Sequence, residues 1–297
     1  MPKYINVVPK VGETVKIAVF DYRNKKVIEL SVGDVSRLNI VSNGRSVVWT
    51  RDDTGRWITS LLGDTIRGDK TSVENIIREL RGLRAKDIPL GEATGERYFP
   101  KIAGTISLGM EPDQPEIMLT FSDEDSEGCY VKKSGSERIA LIEPTVLHVF
   151  DKTYDDLRDR RLLDFEPETA ARITLETTGA TLSIIKTDAD WSFSNPEFGS
   201  IDVGTAEALL TRIEGLRFSR AIEEQLRDPK GYGFAKPAYR VVIYDSDNRK
   251  IDELIAGHPL PSFEQSYVTS LSTGMLAGIE TRLLSDLLDD FQNLATK

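Results

Sequence analysis

The feature that most constrains the fold of this chain is an internal repeat with an offset of 135 residues. The segment "YRNKKVIELSVGDVSRLNIVSNG" aligns with "LRDRRLLDFEPETAARITLETTG". The aligned positions include Arg37 with Arg172, Gly44 with Gly179 and, after one deletion, Trp57 with Trp191. Self-similarity at a fixed period is typical of a structural unit that occurs more than once. The sequence therefore predicts two tandem repeats, residues 21–155 and 156–297, with an N-terminal segment of extra strand at residues 1–20.

Each repeat contains a segment with the periodicity of an amphipathic helix. "DKTSVENIIRELRGLR" aligns with "DVGTAEALLTRIEGLR", and apolar residues recur at i, i+3, i+4 and i+7 in both. Asp69 and Asp202 stand immediately before these helices, where an N-cap acceptor is expected. The pattern predicts one capped helix in each repeat, with one apolar face directed at a core.

Alternating segments rich in Thr, Ile and Val predict β-hairpins around this helix. "ARITLETTGATLSIIKTDADW" predicts a hairpin that turns at "TTGA", followed by a short strand carrying Trp191. "PAYRVVIYDSDNRKIDELIAG" predicts a second hairpin that turns at "DSDN". The predicted order is three strands and a helix, then four strands and a closing helix. This order indicates an α+β class in which each repeat is a mainly antiparallel sheet with helices packed on one face.

Charge and composition exclude several classes of partner. The chain has 297 residues, a formal net charge of −10 and a pI near 5.0. Nucleic-acid binding depends on clustered Lys and Arg, so no nucleic-acid partner is expected, and direct binding to anionic lipid is not expected either. Cys129 is the only cysteine, so no intramolecular disulfide can form.

The segment "DLRDRRLLDF" is unusually rich in arginine and aspartate. Its "RDRR" aligns with "RNKK" at residues 23–26, so it begins the second repeat and is predicted to be a polar lead-in to the first strand. Both copies keep three basic residues in four. Arg158, Arg160 and Arg161 are therefore also candidates for docking a protein partner.

The motifs that could support chemistry are incomplete. "DEDSEG" at residues 123–128 begins like a calcium loop, but its twelfth position is Ser134 instead of Glu. His148 and His258 occupy non-equivalent places in the two repeats, so a histidine zinc site is not expected. Cys129 is predicted to be a buried or edge thiol. The sequence thus predicts no catalytic residues, no cofactor and no metal.

Trp57 and Trp191 occupy equivalent points in the two repeats. This recurrence favours a role as core anchors, and a ligand-stacking role is the alternative.

A family resemblance rests on the order of these segments. "LRDRRLLDF", the hairpin ending in Trp191, the helix "AEALLTRIEGLR" and the segment "YGFAKPAYRVVIY" together resemble the repeat unit of the domain of unknown function 4340 family, over about residues 20–297. "SLGMEPDQPEIMLTF" in the first half keeps the same Gly, apolar, Pro pattern before a strand.

The resemblance implies a bacterial accessory protein, often encoded near ABC-type export or gliding-motility auxiliary components and commonly tethered by an N-terminal transmembrane helix. It assigns no catalytic residues. Because "MPKYINVVPKVGETVKIAV" is not a membrane anchor, the expectation is either a protein on the extracytoplasmic, periplasmic side of the inner membrane whose anchor is absent from this chain, or a soluble cytoplasmic one.

Two functions follow as expectations. The first is a non-catalytic scaffold module that binds a membrane-associated protein of an extracytoplasmic, ABC transporter-linked assembly. The alternative is an enzyme or small-ligand-binding protein with a site in the groove between the repeats. Repetition favours the first, because duplicated units make an extended binding surface.

Overall fold

Two large antiparallel β-sheets, one in each half of the chain, form the framework of the protein. The computed structural model describes residues 4–7, 15–18, 24–89, 97–110, 115–261 and 264–295. The chain divides into unit 1, Met1–Asp159, and unit 2, Arg160–Lys297. The boundary between the units lies a few residues after the boundary predicted from the sequence, between residues 155 and 156, because the backbone of Leu157 and Asp159 still bonds to unit 1. The N–H of Asp69 donates to the Leu157 carbonyl, and the N–H of Asp159 donates to the Arg67 carbonyl, both at 2.8 Å.

Unit 1 begins with a separate two-stranded antiparallel sheet made of β1 (Tyr4–Val7) and β2 (Val15–Ala18). Its main sheet has the order β10-β9-β8-β7-β3-β4-β5-β6 among the described residues, with every neighbouring pair antiparallel. The elements are β3 (Val35–Ser42), β4 (Arg45–Arg51), β5 (Trp57–Leu61), β6 (Asp64–Arg67), α1 (Lys70–Gly82), β7 (Ile102–Met110), β8 (Ile117–Ser122), β9 (Cys129–Lys133), β10 (Ile139–Ile142), a 3-10 helix (Pro144–Asp151) and α2 (Tyr154–Leu157).

Unit 2 has a sheet of the order β14-β13-β12-β11-β16-β17-β18-β19-β15 among the described residues, and all of its pairs are antiparallel as well. The elements are a 3-10 helix (Pro167–Thr169), β11 (Arg172–Thr177), β12 (Thr181–Thr187), β13 (Asp190–Phe193), a 3-10 helix (Pro196–Phe198), β14 (Ser200–Ile201), α3 (Val203–Glu214), β15 (Arg220–Glu223), β16 (Tyr239–Tyr244), β17 (Lys250–Pro259), β18 (Gln265–Ser270), β19 (Leu276–Glu280) and α4 (Thr281–Ala295). Two antiparallel sheets with a few helices confirm the α+β class.

The two capped helices form where the sequence predicts them. The Asp69 carboxylate accepts from the N–H of Ser72 at 2.7 Å, and the Asp202 carboxylate accepts from the N–H of Thr205 at 2.9 Å. Each bond satisfies one of the backbone donors left unpaired at a helix start. The buried residues of the apolar stripes are Val73, Ile76, Ile77 and Leu80 in α1, and Ala206, Leu209, Leu210 and Ile213 in α3.

Three details differ from the prediction. Unit 2 has five strands between α3 and α4 instead of four, because β15 pairs with β19 at the edge of the sheet. Four strands of the main sheet precede the capped helix in each unit instead of three, because the short segments β6 and β14 pair with β5 and β13. The helix that begins at Pro144 is a 3-10 helix, whereas α4 is an α-helix of 15 residues. A strand of two to four residues is too short to show an alternating pattern, which explains why the sequence does not reveal it.

Each unit has its own hydrophobic core. In unit 1, Leu38, Ile106 and Leu119 of the sheet share a core with Val73 and Ile77 of α1. In unit 2, Ile173, Val241 and Leu254 share a core with Ile213 of α3 and Phe291 of α4. The helices therefore stabilise each sheet by covering its apolar side chains.

Candidate interaction site

The three arginines singled out from the sequence lie in different environments. Arg158, in unit 1, is 7% exposed and its Nη1 lies 3.2 Å from Oδ1 of Asp155. Arg160, in unit 2, is exposed, while Arg161 is half-buried. Because the Arg158 side chain is buried, its charge is not presented to solvent, and a docking role would depend on Arg160 and Arg161. That role stays a prediction.

The basic segments at the start of each unit have a structural role through their backbone. In unit 1 the N–H of Ala85 donates to the Lys25 carbonyl at 2.8 Å. In unit 2 the N–H of Phe218 donates to the Arg160 carbonyl at 3.0 Å, and that of Leu162 donates to the Leu216 carbonyl at 3.1 Å. The lead-in of each unit thus pairs with the segment that follows the capped helix. The two basic lead-ins therefore have a structural role that does not depend on docking.

Among the described residues, the large apolar side chain with the greatest exposure is that of Leu62, at the tip of the β5–β6 hairpin. Its side chain is 96% exposed. Its φ is 54°, and Gly63 follows at φ 93°, so both central residues of the two-residue turn have positive φ. Such turns match the twist of a hairpin, but they strongly favour Asn, Asp or Gly at these positions. Leu62 is therefore unfavourable in conformation and gains no burial within unit 1.

Other turns of the chain use the expected residues at positive φ. The non-glycine residues with positive φ elsewhere in the described part of the chain are Asn43, Asp188 and Asn248. Their short polar side chains tolerate the left-handed backbone conformation because they can form local hydrogen bonds. For a leucine this conformation costs about 1 kcal/mol of stability. Neighbouring Leu61 is partly buried and packs against the core, so Leu62 is the fully exposed apolar side chain of the tip. This sets Leu62 apart as a residue whose side chain is not explained by folding.

Unit 2 exposes a large apolar residue at the corresponding connection. Phe198 ends the 3-10 helix between β13 and β14, and it is 45% exposed. Its ring packs edge-on against Phe193, with a centroid separation of 5.4 Å. The connection between the third and fourth strands of each sheet segment therefore carries an apolar side chain facing solvent. Sequence reasoning missed both residues; the signal available was a leucine directly before a glycine where a hairpin turn favours Asn.

The tryptophans and the cysteine considered in the sequence are buried. Trp57 and Trp191 belong to the cores of their units, in agreement with the core-anchor interpretation. Cys129 is buried at the start of β9, and burial raises the pKa of its thiol to about 12, with Glu124 and Asp125 adding to the shift. A thiol with such a pKa is inert as a nucleophile at neutral pH.

The remaining polar motifs are used within the fold. Oδ1 of Asp125 accepts from the N–H of Glu127 at 2.8 Å and of Gly128 at 3.1 Å, and Asp123 pairs with Lys101, so "DEDSEG" forms the turn between β8 and β9. The Nδ1 of His148 lies 2.7 Å from the Thr145 carbonyl on the surface of its own 3-10 helix. His258 is exposed at the end of β17.

Within the described ranges, no group of three or more His, Cys, Asp or Glu side chains is arranged to hold a metal ion. Among the same residues, no helix has the length and apolar character needed to cross a bilayer.

Comparison with known proteins gives one match. The family model of the domain of unknown function (DUF4340) matches residues 107–237, which confirms the resemblance over this range. The matched range begins within β7 of unit 1 and ends before β16 of unit 2. No curated protein and no solved structure matches the chain.

Proposed function

We propose that this protein is a non-catalytic interaction module that docks a membrane-associated protein through the β5–β6 tip of unit 1. The observation that carries the proposal is Leu62, which is 96% exposed in a backbone conformation that disfavours leucine. Residues that cost stability without a folding benefit are typical of binding sites. A hairpin tip is also a suitable position, because binding residues are commonly placed on loops held by a rigid sheet.

The chemistry of the tip favours an apolar pocket on a protein over a lipid surface. From Ser60 to Thr65 the sequence is "SLLGDT", which carries one acidic residue and no basic one. Segments that insert into anionic membranes combine apolar residues with Lys or Arg. The net charge of −10 acts in the same direction. The tip presents one exposed apolar side chain, Leu62, near the polar residues Ser60, Asp64 and Thr65. This arrangement fits an interface with an apolar centre and a polar rim.

The edges of the unit 1 sheet are poorly suited to the addition of a strand from a partner. The backbone of β10 pairs with residues 86–87: the N–H of Leu141 donates to the Asp87 carbonyl at 2.9 Å, and the N–H of Lys86 donates to the Leu141 carbonyl at 2.7 Å. At the opposite edge, Gly68 after β6 forms a bridge with Arg158. Covered edges cannot accept a further strand at these points. The tip is therefore the better docking element of this unit.

We further propose that the two units are divergent copies of one ancestral unit. The strand orders support this: apart from the edge strand β15 of unit 2, β10-β9-β8-β7-β3-β4-β5-β6 corresponds position by position to β19-β18-β17-β16-β11-β12-β13-β14. Two tyrosine pairs give independent support. The rings of Tyr98 and Tyr130 are 4.8 Å apart at 55°, and those of Tyr232 and Tyr267 are 4.9 Å apart at 55°.

We place the module in an extracytoplasmic, ABC transporter-linked assembly on the family resemblance alone. Protease added to intact spheroplasts of a producing cell tests this location. Degradation of the protein without lysis is the expected result, and protection until the cells are lysed would place it in the cytoplasm instead.

The docking proposal is tested by site-specific photocrosslinking. A photoreactive amino acid replaces Leu62 in one variant and Thr54, an exposed residue of the β4–β5 turn, in the control. After irradiation in a native membrane extract, position 62 is expected to give one discrete adduct that position 54 does not give. An excess of the unmodified protein should abolish the adduct, and an excess of Leu62→Asn should not. The same adducts from both positions, or none from position 62, would refute docking at the tip.

A further inference from the structure

We infer that unit 2 contains a binding site for an arginine side chain of another polypeptide, at a cavity beside Trp191. The cavity has a volume of about 260 Å³ and is lined by Trp191, Lys186, Glu207, Glu168 and Thr211, among others. It lies within unit 2, whereas Leu62 belongs to unit 1, and it does not rest on the docking proposal for Leu62.

The corresponding place in unit 1 shows what such a site holds. There the guanidinium of Arg51 lies over the ring of Trp57, 4.6 Å from its centroid. Nη2 of Arg51 lies 2.9 Å from Oε1 of Glu74, and Nη2 of Arg78 lies 2.7 Å from Oε2 of the same carboxylate. Glu74 is only 6% exposed. In unit 1, therefore, the protein's own guanidinium groups fill the space between an aromatic ring and a buried carboxylate.

The equivalence of the two places follows from the structure itself. Arg51 is the strand partner of Trp57 in the β4–β5 ladder, and Lys186 is the strand partner of Trp191 in the β12–β13 ladder. Glu74 and Glu207 each lie one turn and a half into their helix, at the same distance along the chain from the N-caps Asp69 and Asp202. One turn later, α1 has Arg78 and α3 has Thr211. Unit 2 thus retains the ring and has a carboxylate at the same helix position, but Glu207 is exposed where Glu74 is buried, and both arginines are lacking.

The charges around the cavity are left uncompensated. In the described part of the chain, the carboxylates of Glu168 and Glu207 make no ion pair, and the ammonium of Lys186 lies 5.9 Å from the centroid of Trp191 without a carboxylate partner. Two carboxylates and one ammonium give the lining a net negative charge. A cation that stacks on the ring and bonds to Glu207 would restore the arrangement seen in unit 1.

Arginine suits this cavity better than other cations. Its guanidinium is planar, stacks on aromatic faces and can form two parallel hydrogen bonds with a carboxylate. An ammonium cannot form that fork, and unit 2 already has one in Lys186. Trp191 is 1% exposed, so Lys186 must move aside for the ligand to reach the ring. Its half-buried side chain makes no hydrogen bond or ion pair among the described residues that would prevent this movement.

We assign the ligand to a polypeptide because the arrangement that it would complete is made in unit 1 by arginine side chains of a polypeptide chain. The site is thus expected to take one arginine from an exposed segment of a partner.

The test follows the indole N–H signals of the full-length protein by NMR. The chain has three tryptophans, and the Trp191→Phe variant identifies the signal of Trp191. Titration with acetyl-Gly-Arg-Gly-amide is expected to shift the Trp191 signal in a saturable way and to leave those of Trp49 and Trp57 unchanged. The matching lysine peptide should bind at least about tenfold more weakly, since it lacks the bidentate hydrogen bond.

Two variants make the test specific. Lys186→Arg preserves charge and is expected to abolish peptide binding, because the introduced guanidinium occupies the site as Arg51 does in unit 1. Glu207→Gln should weaken binding about tenfold through loss of a charge-assisted hydrogen bond. Glu74→Gln, the matched control in unit 1, should leave peptide affinity unchanged.

Several results would overturn the inference. These are an unshifted Trp191 signal, equal affinity for the arginine and lysine peptides, and undiminished binding by Lys186→Arg. Equal affinity for acetyl-arginine-amide alone and for free arginine, with the peptide binding more weakly than both, would refute the polypeptide as the ligand. Binding that survives Glu207→Gln without loss would exclude the carboxylate from the site.

Discussion

The ring of Trp49 packs so closely on the backbone of Gly68 that a Cβ added to Gly68 would lie 2.8 Å from the ring atoms Cε3 and Cζ3. Trp49 lies opposite Leu38 in the β3–β4 ladder, and Gly68 directly precedes the N-cap of α1. In unit 2 the corresponding positions are Ile184, opposite Ile173, and Ile201, directly before the N-cap of α3. Unit 1 combines the large side chain of Trp49 with Gly68, which has no side chain. Unit 2 combines two side chains of intermediate size, Ile184 and Ile201. This compensation in volume is what two copies of one core would show after divergence.

Gly68→Ala is therefore expected to destabilise the protein by about 1–3 kcal/mol, because the added methyl group overpacks a buried ring. Urea unfolding followed by circular dichroism measures the change. Trp49→Ile alone should also destabilise, through the cavity it leaves. In the double variant Trp49→Ile with Gly68→Ile, the measured loss should be smaller than the sum of the losses of Trp49→Ile and Gly68→Ile, each measured alone. Additive losses would contradict the proposed size compensation.

The parts of the fold that the sequence predicts are those with local causes. Asp69 and Asp202 cap helices because a carboxylate at that position reaches a backbone N–H three residues later. The apolar stripes of α1 and α3 follow from the helical period. By contrast, Tyr98 and Tyr130 are brought together only by the course of the chain around β9, and no local pattern indicates this pair.

The candidate sites were harder to predict than the fold. Arg158 resembles Arg160 and Arg161 in the sequence, but tertiary packing buries it. Leu62 was missed because a leucine in an apolar segment reads as a core residue, and its exposure depends on the turn that Gly63 allows. The proposed site at Trp191 is inferred from two arginines that unit 1 has and unit 2 lacks, and this difference is recognisable only when the strand register shows which residues correspond.

Leu62→Asn is expected to raise the stability of the protein by about 1 kcal/mol. Asparagine is favoured over leucine at positive φ, and no burial is lost because the Leu62 side chain lies in solvent. The midpoint of urea unfolding measures the change, and Asn43→Leu provides the reverse control in the β3–β4 turn. Asn43→Leu should lower stability by a similar amount. A loss of stability in Leu62→Asn would show that the leucine supports the fold and would remove the main argument for docking at the tip.

Asp252→Asn is expected to destabilise unit 2 by about 2 kcal/mol. The buried carboxylate of Asp252 accepts from the N–H groups of Asp164 and Glu253, each at 2.8 Å, and of Ser272 at 3.1 Å. It therefore ties the lead-in of the unit to β17 and to the turn after β18. An amide presents an NH₂ group to one of these donors, so at least one charge-assisted bond is lost.

Asp252→Ile provides a stricter comparison, since Ile117 holds the corresponding position in unit 1. It leaves all three backbone donors without their acceptor, so its loss of stability in urea should exceed that of Asp252→Asn. If the isoleucine variant were as stable as the parent, the carboxylate would have no structural role, and its burial would need another explanation.

The buried thiol of Cys129 should make the stability of the protein fall at alkaline pH. Burial raises the pKa of this thiol to about 12 in the folded protein, while a cysteine in the unfolded chain has a pKa of about 8.5. Above about pH 8.5 the unfolded state releases a proton that the folded state retains, so the contribution of this group is complete below that pH and is lost as the pH rises toward 12. At pH 10 the loss is on the order of 2 kcal/mol. Unfolding free energies of the parent and of Cys129→Ala, each measured at pH 7.5 and pH 10, separate this effect from the titration of Lys and Tyr, which both proteins share. The parent should lose about 2 kcal/mol more than the variant over this interval, and equal losses would show that the thiol ionises as readily in the folded protein as in the unfolded chain.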